Sequence, residues 1–238
     1  MIPPQTAEKR KRAIEAALEF VKDGLCIGLG SGSTMSQFIS ELANHIKTSR
    51  LSISVISSSS QMDLEGAKYG LNLVAYSGAQ NLDVTFDSAD EVDENLNLLK
   101  GGGAALFREK ILHYASRQTI ILIEDDKIVK KLGTRHPLPV EVLPFAMPLV
   151  KREVEKGFGF ESAVRMSSGK VGPLVTDNSN YLLDIHTGPI QDAYSLESSL
   201  RRIPGVIETG LFLDLKGVLI IAGEKSVQKV EAKVRKRG

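Results

Sequence analysis

The residue types best suited to chemistry are concentrated in one segment, residues 83–110. Its carboxylates can act as general acids or bases, or bind cations and hydroxyl groups. They are Asp83, Asp87, Asp90, Glu91, Asp93, Glu94 and Glu109. Lys100 and three consecutive glycines separate the acidic cluster from a helical pattern that begins near Ala104. Adjacent glycines weaken regular structure, so we expect positive φ angles there or a close approach of the backbone to a ligand. Just before a helix, they would offer free N–H groups to an anion.

Glu109 is the unusual residue of that helical pattern. It lies three residues after Leu106 and three before Leu112, which puts it beside the apolar stripe. A carboxylate there either pairs with a neighbouring cation or lies in a cleft that favours its protonated form. The spacing alone favours the ion pair and leaves the cleft open. A calcium loop is excluded, because a loop beginning at Asp87 has Val92 where the turn glycine belongs.

A glycine- and hydroxyl-rich turn, GSGST, follows a predicted strand over residues 25–29 and precedes a predicted helix that ends near Ile46. This is the order in which backbone amides cradle a phosphate. A dinucleotide fingerprint is not complete, since its last glycine is replaced by Ser33 and no acidic residue follows the next strand. No Gly-Lys-Ser/Thr follows either. The turn therefore suits one phosphate monoester, while a purely structural turn capped by Ser33 or Thr34 stays possible.

Short apolar runs alternate with helical patterns through the first part of the chain and return near its end. The predicted strands cover residues 25–29, 53–56, 71–76, 82–86, 119–123 and 218–222. The predicted helices cover 7–22, 61–69 and 104–114, with one more after GSGST that ends near Ile46. This alternation predicts an α/β fold with an open, mostly parallel Rossmann-like sheet and helices on both faces. The GSGST, SSSS, DSADE and EDDK turns would then share the carboxyl edge of the sheet, where such folds bind ligands.

The pattern changes near Gly133 to strand, helix, two strands, helix and strand. These elements are predicted at residues 140–143, 146–156, 163–166, 181–185, 193–203 and 206–213. The order predicts a smaller inserted α+β, ferredoxin-like domain. We assign residues 133–206 to this lid or oligomerisation domain, and residues 1–132 and 207–238 to the α/β catalytic domain. The tail from Lys225 is predicted to be a charged helical or fraying end.

Composition and charge exclude several classes of function. A formal net charge of +1 gives no general attraction to nucleic acid or to an anionic membrane. No apolar run approaches the ~20 residues that span a bilayer, and no secretory signal is visible. The single cysteine, Cys26, rules out an intrachain disulfide and fits a reducing, cytoplasmic location.

The histidines and hydroxyl nucleophiles do not suggest a metal or serine-based mechanism. Four histidines are far apart in the chain, which argues against a zinc site. His113 lies at helical spacing from Glu109, and we predict a structural hydrogen bond for it. No G-x-S-x-G elbow is present. The inventory permits acid–base chemistry by carboxylates, with neither a metal nor another cofactor.

Four motifs, GSGST, DSADE, LKGGGAALFREK and PLPVEV, occur in that order along the chain. Together they resemble the type A ribose-5-phosphate isomerase family, and the resemblance runs over nearly the whole chain. It implies a cofactor-free interconversion of ribose 5-phosphate and ribulose 5-phosphate through an enediolate. It also implies a homo-oligomer, either a dimer or a tetramer.

The resemblance assigns roles to individual residues. Glu109 would be the general base, and Lys100 with the amides after it would stabilise charge on the substrate oxygens. Asp87 would assist ring opening and move protons between oxygens, and Asp90 would hold substrate hydroxyls. The expected phosphate ligands are Ser33, Thr34 and Lys127. The whole predicted binding set is Gly30, Ser31, Gly32, Ser33, Thr34, Asp87, Ser88, Ala89, Asp90, Lys100, Gly101, Gly102, Gly103 and Lys127.

Small departures and two rival functions remain. Ser31 stands where the family often has threonine, and Ser88 where glycine is common, but neither change removes a titrating group. One rival is a non-catalytic sugar-phosphate sensor, against which stands the complete set of carboxylates and lysine. The other is a phosphosugar lactonase or deaminating isomerase, which would need a histidine near the acids, and the DSADE loop has none.

Overall fold

The computed structural model describes residues 3–78 and 81–232, and the chain divides into two compact units. The first unit comprises Met1–Ala89, Arg108–Lys127 and Asp214–Gly238. The second comprises Asp90–Phe107 and Ile128–Leu213. These bounds differ from the predicted segments, because residues 90–107, 128–132 and 207–213 cluster with the second unit. The role of that unit as a lid or oligomerisation domain stays a prediction.

The helices and strands follow one another as alternating elements in the first unit and as an α+β arrangement in the second. The helices of the described residues are α1 (Pro4–Leu18), α2 (Ser33–Ser49), α3 (Ser60–Lys68), α4 (Leu106–Ala115), α5 (Met147–Arg152) and α6 (Ala193–Arg201). The strands are β1 (Cys26–Leu29), β2 (Ser54–Ser57), β3 (Leu82–Ser88), β4 (Glu91–Val92), β5 (Leu98–Leu99), β6 (Ser116–Glu124), β7 (Leu138–Val142), β8 (Glu161–Val164), β9 (Tyr181–His186), β10 (Val206–Thr209), β11 (Leu211–Phe212), β12 (Gly217–Ala222) and β13 (Val227–Glu231). A π-helical segment, Glu153–Phe158, follows α5.

The first unit is built on a six-stranded sheet in the order β13-β12-β6-β3-β1-β2. All neighbours are parallel except the edge strand β13, which is antiparallel to β12. Val55 packs in the core that α1 and α2 cover, whereas the next residue, Ile56, packs against Leu112 of α4. Successive residues of a strand point to opposite faces, so helices cover both faces of the sheet. The predicted fold class is confirmed.

The carboxyl ends of four neighbouring strands meet at one edge of this sheet. Leu29 at the end of β1 is paired with Ser57 on β2 and with Phe86 on β3. Ser88, which ends β3, is paired with Leu122 near the end of β6. The four turns singled out in the sequence therefore lie on the same edge, as predicted.

The second unit contains a four-stranded antiparallel sheet in the order β10-β7-β9-β8. With α5 and α6 this gives the predicted ferredoxin-like βαββαβ arrangement. Leu138, Val140 and Val142 alternate along β7 toward the helices and form the centre of its core. A separate three-stranded sheet, β11-β5-β4, contains Glu91 of the acidic cluster and the Leu98–Leu99 pair that precedes Lys100 and the glycines.

Three local predictions were wrong. Residues 71–76 form no strand, because only Leu73 pairs, through an isolated bridge to Val55. The predicted strand at 206–213 is divided at Gly210 into β10 and β11 of different sheets. The amide of Gly210 still donates to Pro139 of β7, whereas its carbonyl accepts from the amide of Lys100, which follows β5. In the tail, Val227–Glu231 is a strand and not a helix. Residues 233–238 lie outside the described residues.

A buried glutamate fixes the loop before β7. Glu91 is fully buried and accepts hydrogen bonds from the amides of Gly133, Arg135 and His136 at 2.7, 2.6 and 2.8 Å. Both carboxylate oxygens are used. A buried carboxylate needs such donors, and the donors in turn need it.

Replacing Glu91 with alanine would leave three amides without their acceptor. We expect the free energy of unfolding to fall on the order of 2–4 kcal/mol, with a smaller loss for Glu91→Gln, whose NH2 group must face an amide donor. Chemical denaturation followed by circular dichroism measures the loss. Glu94→Gln, at an exposed position three residues away, is the control. Equal stabilities of E91A and the control would show that the three hydrogen bonds are not needed.

Candidate active site

The loop between β1 and α2 forms the first part of the site. Strand β1 ends at Leu29 and α2 begins at Ser33. The N-cap of α2 is Gly32, with a φ of 104° and no side-chain cap, so neither Ser33 nor Thr34 caps the helix as the structural interpretation of the turn required. A positive φ of this size favours glycine. The N-terminal amides of α2 are thus arranged as in helices that bind a phosphate.

Ser31 connects this loop to two other elements. Its amide donates to Oε1 of Glu109 at 3.0 Å. Its hydroxyl lies 2.7 Å from the hydroxyls of both Ser58 and Ser59, in the serine run after β2. Glu109 is only 3% exposed. One contact of the predicted base is therefore the backbone of the glycine-rich loop.

Asp87 is fully buried at the end of β3. Its Oδ1 accepts from the amide of Ser88 at 2.7 Å, and its Oδ2 lies 2.8 Å from Nε2 of His113. A Cβ atom at Gly30 would come within 1.9 Å of Oδ1. Gly30 is therefore required by the close approach of a carboxylate and not by its φ angle.

His113 is a site residue that the sequence reasoning did not place. No histidine lies in the DSADE motif, and we predicted only a structural hydrogen bond for His113. Helix α4 nevertheless brings it to Asp87, because Glu109 and His113 are four residues apart and share one face of the helix. The spacing from Glu109 indicated the helix face of His113 but not its contact with Asp87.

Two cations are held together beside the glycine-rich loop by Glu124. Arg10 Nε donates to Glu124 Oε1 at 2.7 Å, and Arg10 Nη1 donates to the hydroxyl of Ser33 at 3.3 Å. Lys127 Nζ lies 3.3 Å from Glu124 Oε2, as an ion pair without hydrogen-bond alignment. It also donates to the hydroxyl of Ser88 at 3.2 Å. Lys127, which we expected at the phosphate, thus lies in a group that includes one of the expected phosphate serines.

The charge state of Glu124 follows from these neighbours. Burial opposes its ionisation, but attraction to Lys127 and the hydrogen bond and charge of Arg10 outweigh burial and lower the pKa of Glu124. The group therefore contains a carboxylate between two cations over the whole neutral range.

Arg10 is a further member of this group that we did not predict from the sequence. It is only 6% exposed. Its position three residues before Ala13 and four before Ile14 puts it on the buried face of α1. Helical spacing would have separated it from its exposed neighbours.

In the second unit, the glycine-rich segment is held through its backbone. The amide of Gly102 donates to Oδ2 of Asp90 at 2.9 Å. The carbonyls of Gly101 and Gly102 accept from Nη1 of Arg165 at 2.7 and 3.2 Å, and Arg165 is paired with Asp184. Gly101 has a φ of 111°, which confirms the expected positive φ in this segment. Arg165 was not recognised in the sequence, where nothing distinguishes it from other surface arginines.

Lys100 precedes these glycines and is 4% exposed. Its amide donates to the carbonyl of Gly210 at 2.8 Å, and its ammonium lies 5.4 Å from the centre of the Phe212 ring. A cation over an aromatic face is stabilised electrostatically. This long side chain is therefore packed within the second unit rather than extended into solvent.

The predicted site residues are divided between the two compact units of the chain. The first unit holds Gly30, Ser31, Gly32, Ser33, Thr34, Asp87, Ser88, Ala89, Glu109 and Lys127. The second holds Asp90, Lys100, Gly101, Gly102 and Gly103. Thr34 and Ala89 are buried, and Gly103 is exposed.

Residues 3–78 and 81–232 contain neither a metal-binding cluster nor a membrane-spanning helix. No group of three or more His, Cys, Asp or Glu side chains there is arranged to hold a metal ion. None of the helices in these ranges has the length and apolar character needed to cross a membrane.

Comparisons with known proteins agree with the resemblance seen in the motifs. Residues 54–226 match the family model of ribose 5-phosphate isomerase A (phosphoriboisomerase A). The ribose-5-phosphate isomerase A of Thermosynechococcus vestitus is 40% identical over 221 residues, covering 91% of this chain and 93% of that protein. Ribose-5-phosphate isomerase A 1 of Oceanobacillus iheyensis is 44% identical over 219 residues, covering 92% and 96%.

Solved structures give the same result for the fold. Ribose 5-phosphate isomerase A from Methanocaldococcus jannaschii superposes with a TM-score of 0.90 at 36% identity, covering 95% of this chain and 99% of the other. A D-ribose-5-phosphate isomerase in complex with phospho-erythronic acid superposes with a TM-score of 0.91 at 37% identity, with the same coverage. The fold and these similarities define an α/β isomerase. The chain belongs to the ribose 5-phosphate isomerase A family.

The lowered pKa of Glu124 predicts an acid-side loss of stability. The Glu124 carboxylate binds a proton less readily in the folded protein than in the unfolded chain. The contribution of Glu124 to the free energy of unfolding is therefore complete above the ordinary pKa of 4.5, and it is lost as the pH falls through the folded pKa. We expect Glu124→Gln to be less stable than wild type at neutral pH, with the difference shrinking below pH 4.5. Thermal midpoints between about pH 3 and pH 8 measure it. A difference that stays constant across this range would contradict the assignment.

Proposed function

We propose that this protein interconverts D-ribose 5-phosphate and D-ribulose 5-phosphate through an enediolate, with Glu109 as the general base. The observation that supports this most is the placement of Glu109. In a chain of this family, a nearly buried carboxylate accepts a hydrogen bond from the glycine-rich loop at the ligand-binding edge of the sheet. The proposed reaction is a step of the non-oxidative pentose phosphate pathway, and it needs no cofactor.

The chemistry requires one base and a stabilised oxyanion. Glu109 takes the proton from C2, the C2–H electron pair forms the C1=C2 double bond, and the carbonyl π electrons move to O1. The same carboxyl then returns the proton to C1, while O2 loses its proton and becomes the carbonyl oxygen. One carboxylate serves both carbons, because they are adjacent in a planar enediolate. We assign stabilisation of the oxyanion to Lys100 and the amides after it, since fixed positive groups act most strongly out of water.

The two aspartates have different proposed tasks. We assign Asp87 to ring opening and to proton movement between O1 and O2, in support of which it is fully buried and hydrogen-bonded at both oxygens. We assign Asp90 to the substrate hydroxyls. Its carboxylate also accepts the amide of Gly102, so it links the acidic motif to the glycine-rich segment.

The phosphate is proposed to bind at the N-terminus of α2. The support is the glycine N-cap, which leaves amides and the positive end of the helix dipole for an anion. Ser33, Thr34 and Lys127 are the expected ligands, and we add Arg10, whose guanidinium donates to the hydroxyl of Ser33.

One observation favours testing a second candidate function. A lactonase or deaminating isomerase needs a histidine near the acids, and His113 lies beside Asp87. Such an enzyme would release acid from a phosphosugar lactone or ammonia from an amino sugar phosphate. We expect neither product, because the family comparison favours isomerisation.

Removing the base is the direct test of the main proposal. We expect Glu109→Gln to lower the rate of ribulose 5-phosphate formation from ribose 5-phosphate by about 10²–10⁴, with chelator present. Binding of phospho-erythronic acid, a phosphorylated acid with a planar carboxylate, should remain within about threefold, as measured by calorimetry. Glu94→Gln is the control and should retain full activity. A fully active E109Q would move the base elsewhere, with Asp87 as the next candidate. Binding without turnover in wild type would favour the sensor.

We further propose a homo-oligomer that works in the cytoplasm. Phe145 is 95% exposed beside half-exposed Leu143, and such apolar surface favours association. Burial, and then the charge of Asp83, raise the pKa of the Cys26 thiol, which keeps it protonated and weakly nucleophilic at neutral pH. We expect light scattering to give the mass of a dimer or tetramer. A monomer at micromolar concentration would contradict this proposal.

A further inference from the structure

We propose that His113 is a positioning residue for Asp87, holding the carboxylate that opens the furanose ring of the substrate. This inference rests on the proposed isomerisation and on the assignment of Asp87 to ring opening. His113 Nε2 lies 2.8 Å from Asp87 Oδ2, and the two side chains are 11% and 0% exposed. Neither residue of this contact is at the surface, so the pair is built into the sheet edge.

The direction of the hydrogen bond follows from burial. A carboxylate taken out of water stays ionised only if donors replace its hydration. The amide of Ser88 donates to Oδ1. We assign the second proton donor to His113, whose Nε2–H then donates to Oδ2 across the 2.8 Å contact. The backbone of Gly30 lies against Oδ1, where even a Cβ atom has no space. Asp87 is therefore restrained on three sides, and His113 is the one side-chain donor among these three restraints.

Ring opening needs an ionised carboxylate that is held in a fixed orientation. One proton moves from O1 to O4: the O1–H bond breaks, its electron pair forms the C1=O1 double bond, and the C1–O4 bond breaks with its electron pair going to O4. Asp87 accepts the proton from O1 and returns it to O4, so it ends the step ionised as it began. A protonated or rotated Asp87 accepts nothing from O1. The hydrogen bond from His113 keeps Asp87 ionised and oriented before each turnover.

The proton transfer between carbons does not need this step when the reaction starts from the ketose. Ribulose 5-phosphate is acyclic, because its C5 oxygen carries the phosphate. Removal and return of a proton at C1 exchanges it with solvent deuterium through the enediolate, with no ring to open. A defect in ring opening therefore lowers isomerisation of the cyclic aldose and spares this exchange. A general loss of folding or of Glu109 lowers both.

Two substitutions of His113 distinguish the effect of its hydrogen-bond donor from the effect of its imidazole ring. Glutamine at position 113 carries an amide nitrogen at about the reach of Nε2, whereas asparagine is one bond shorter and cannot reach Oδ2. His186→Asn is the matched control, since His186 is an exposed histidine at the end of β9. We measure turnover of ribose 5-phosphate, its isotope effect with C2-deuterated substrate, and deuterium uptake at C1 of ribulose 5-phosphate by NMR.

We expect His113→Asn to lower kcat/KM for ribose 5-phosphate by about 10–100-fold, with exchange into ribulose 5-phosphate changed by less than about threefold. The primary isotope effect should fall toward one, because ring opening replaces C–H cleavage as the limiting step. His113→Gln should recover most of the lost activity.

Three results would overturn the proposal. A parallel loss of turnover and exchange in H113N would give His113 a general structural role. Activity of H113N equal to that of H186N would show that His113 has no role in turnover. Failure of H113Q to recover activity beyond H113N would show that the donor is not what matters. Wild type that catalyses neither reaction would instead refute the proposed function, and this inference with it.

Discussion

Carboxylates taken out of water determine how the loops of this protein are placed. Asp87, Glu91 and Glu124 are each almost wholly buried, and an ionised group in that position is stable only with donors around it. The donors come from different parts of the chain. Glu91 binds three amides of the loop before β7, and Glu124 binds an arginine from α1. Each acid thus fixes a loop or helix that regular secondary structure alone would leave free.

The same requirement explains why glycine and serine are frequent beside the acids. Gly30 leaves space for the carboxylate of Asp87, and the amide of Ser31 is a donor to Glu109. These residues have no titrating group, but they decide which orientation the acids adopt. The orientation of these acids is therefore a property of the backbone as much as of the acids themselves.

The sequence predicted the α/β sheet, its helices on both faces and the shared edge of the four turns, because apolar strands and glycine turns are local signals. It failed where partners are distant in the chain. Arg10 is 114 residues from Glu124, and β13 depends on pairing with β12 rather than on its own charged sequence. His113 was recognised as a neighbour of Glu109, but its contact with Asp87 depends on how α4 packs against β3. Arg165 could not be found at all, since two of its partners are carbonyl groups that every residue has and the third, Asp184, is 19 residues away.

Glu124 has a further consequence for the proposed phosphate site. Arg10 and Lys127 contribute two positive charges, and Glu124 between them leaves the group with a single net positive charge. A phosphate monoester is close to doubly negative at neutral pH, so its charge would not be fully matched there. Substrate and product carry the same phosphate, and a site that held it tightly would retain both alike. In the proposed site, the acid between the cations weakens the attraction for the phosphate of substrate and product alike, which favours release of the finished sugar.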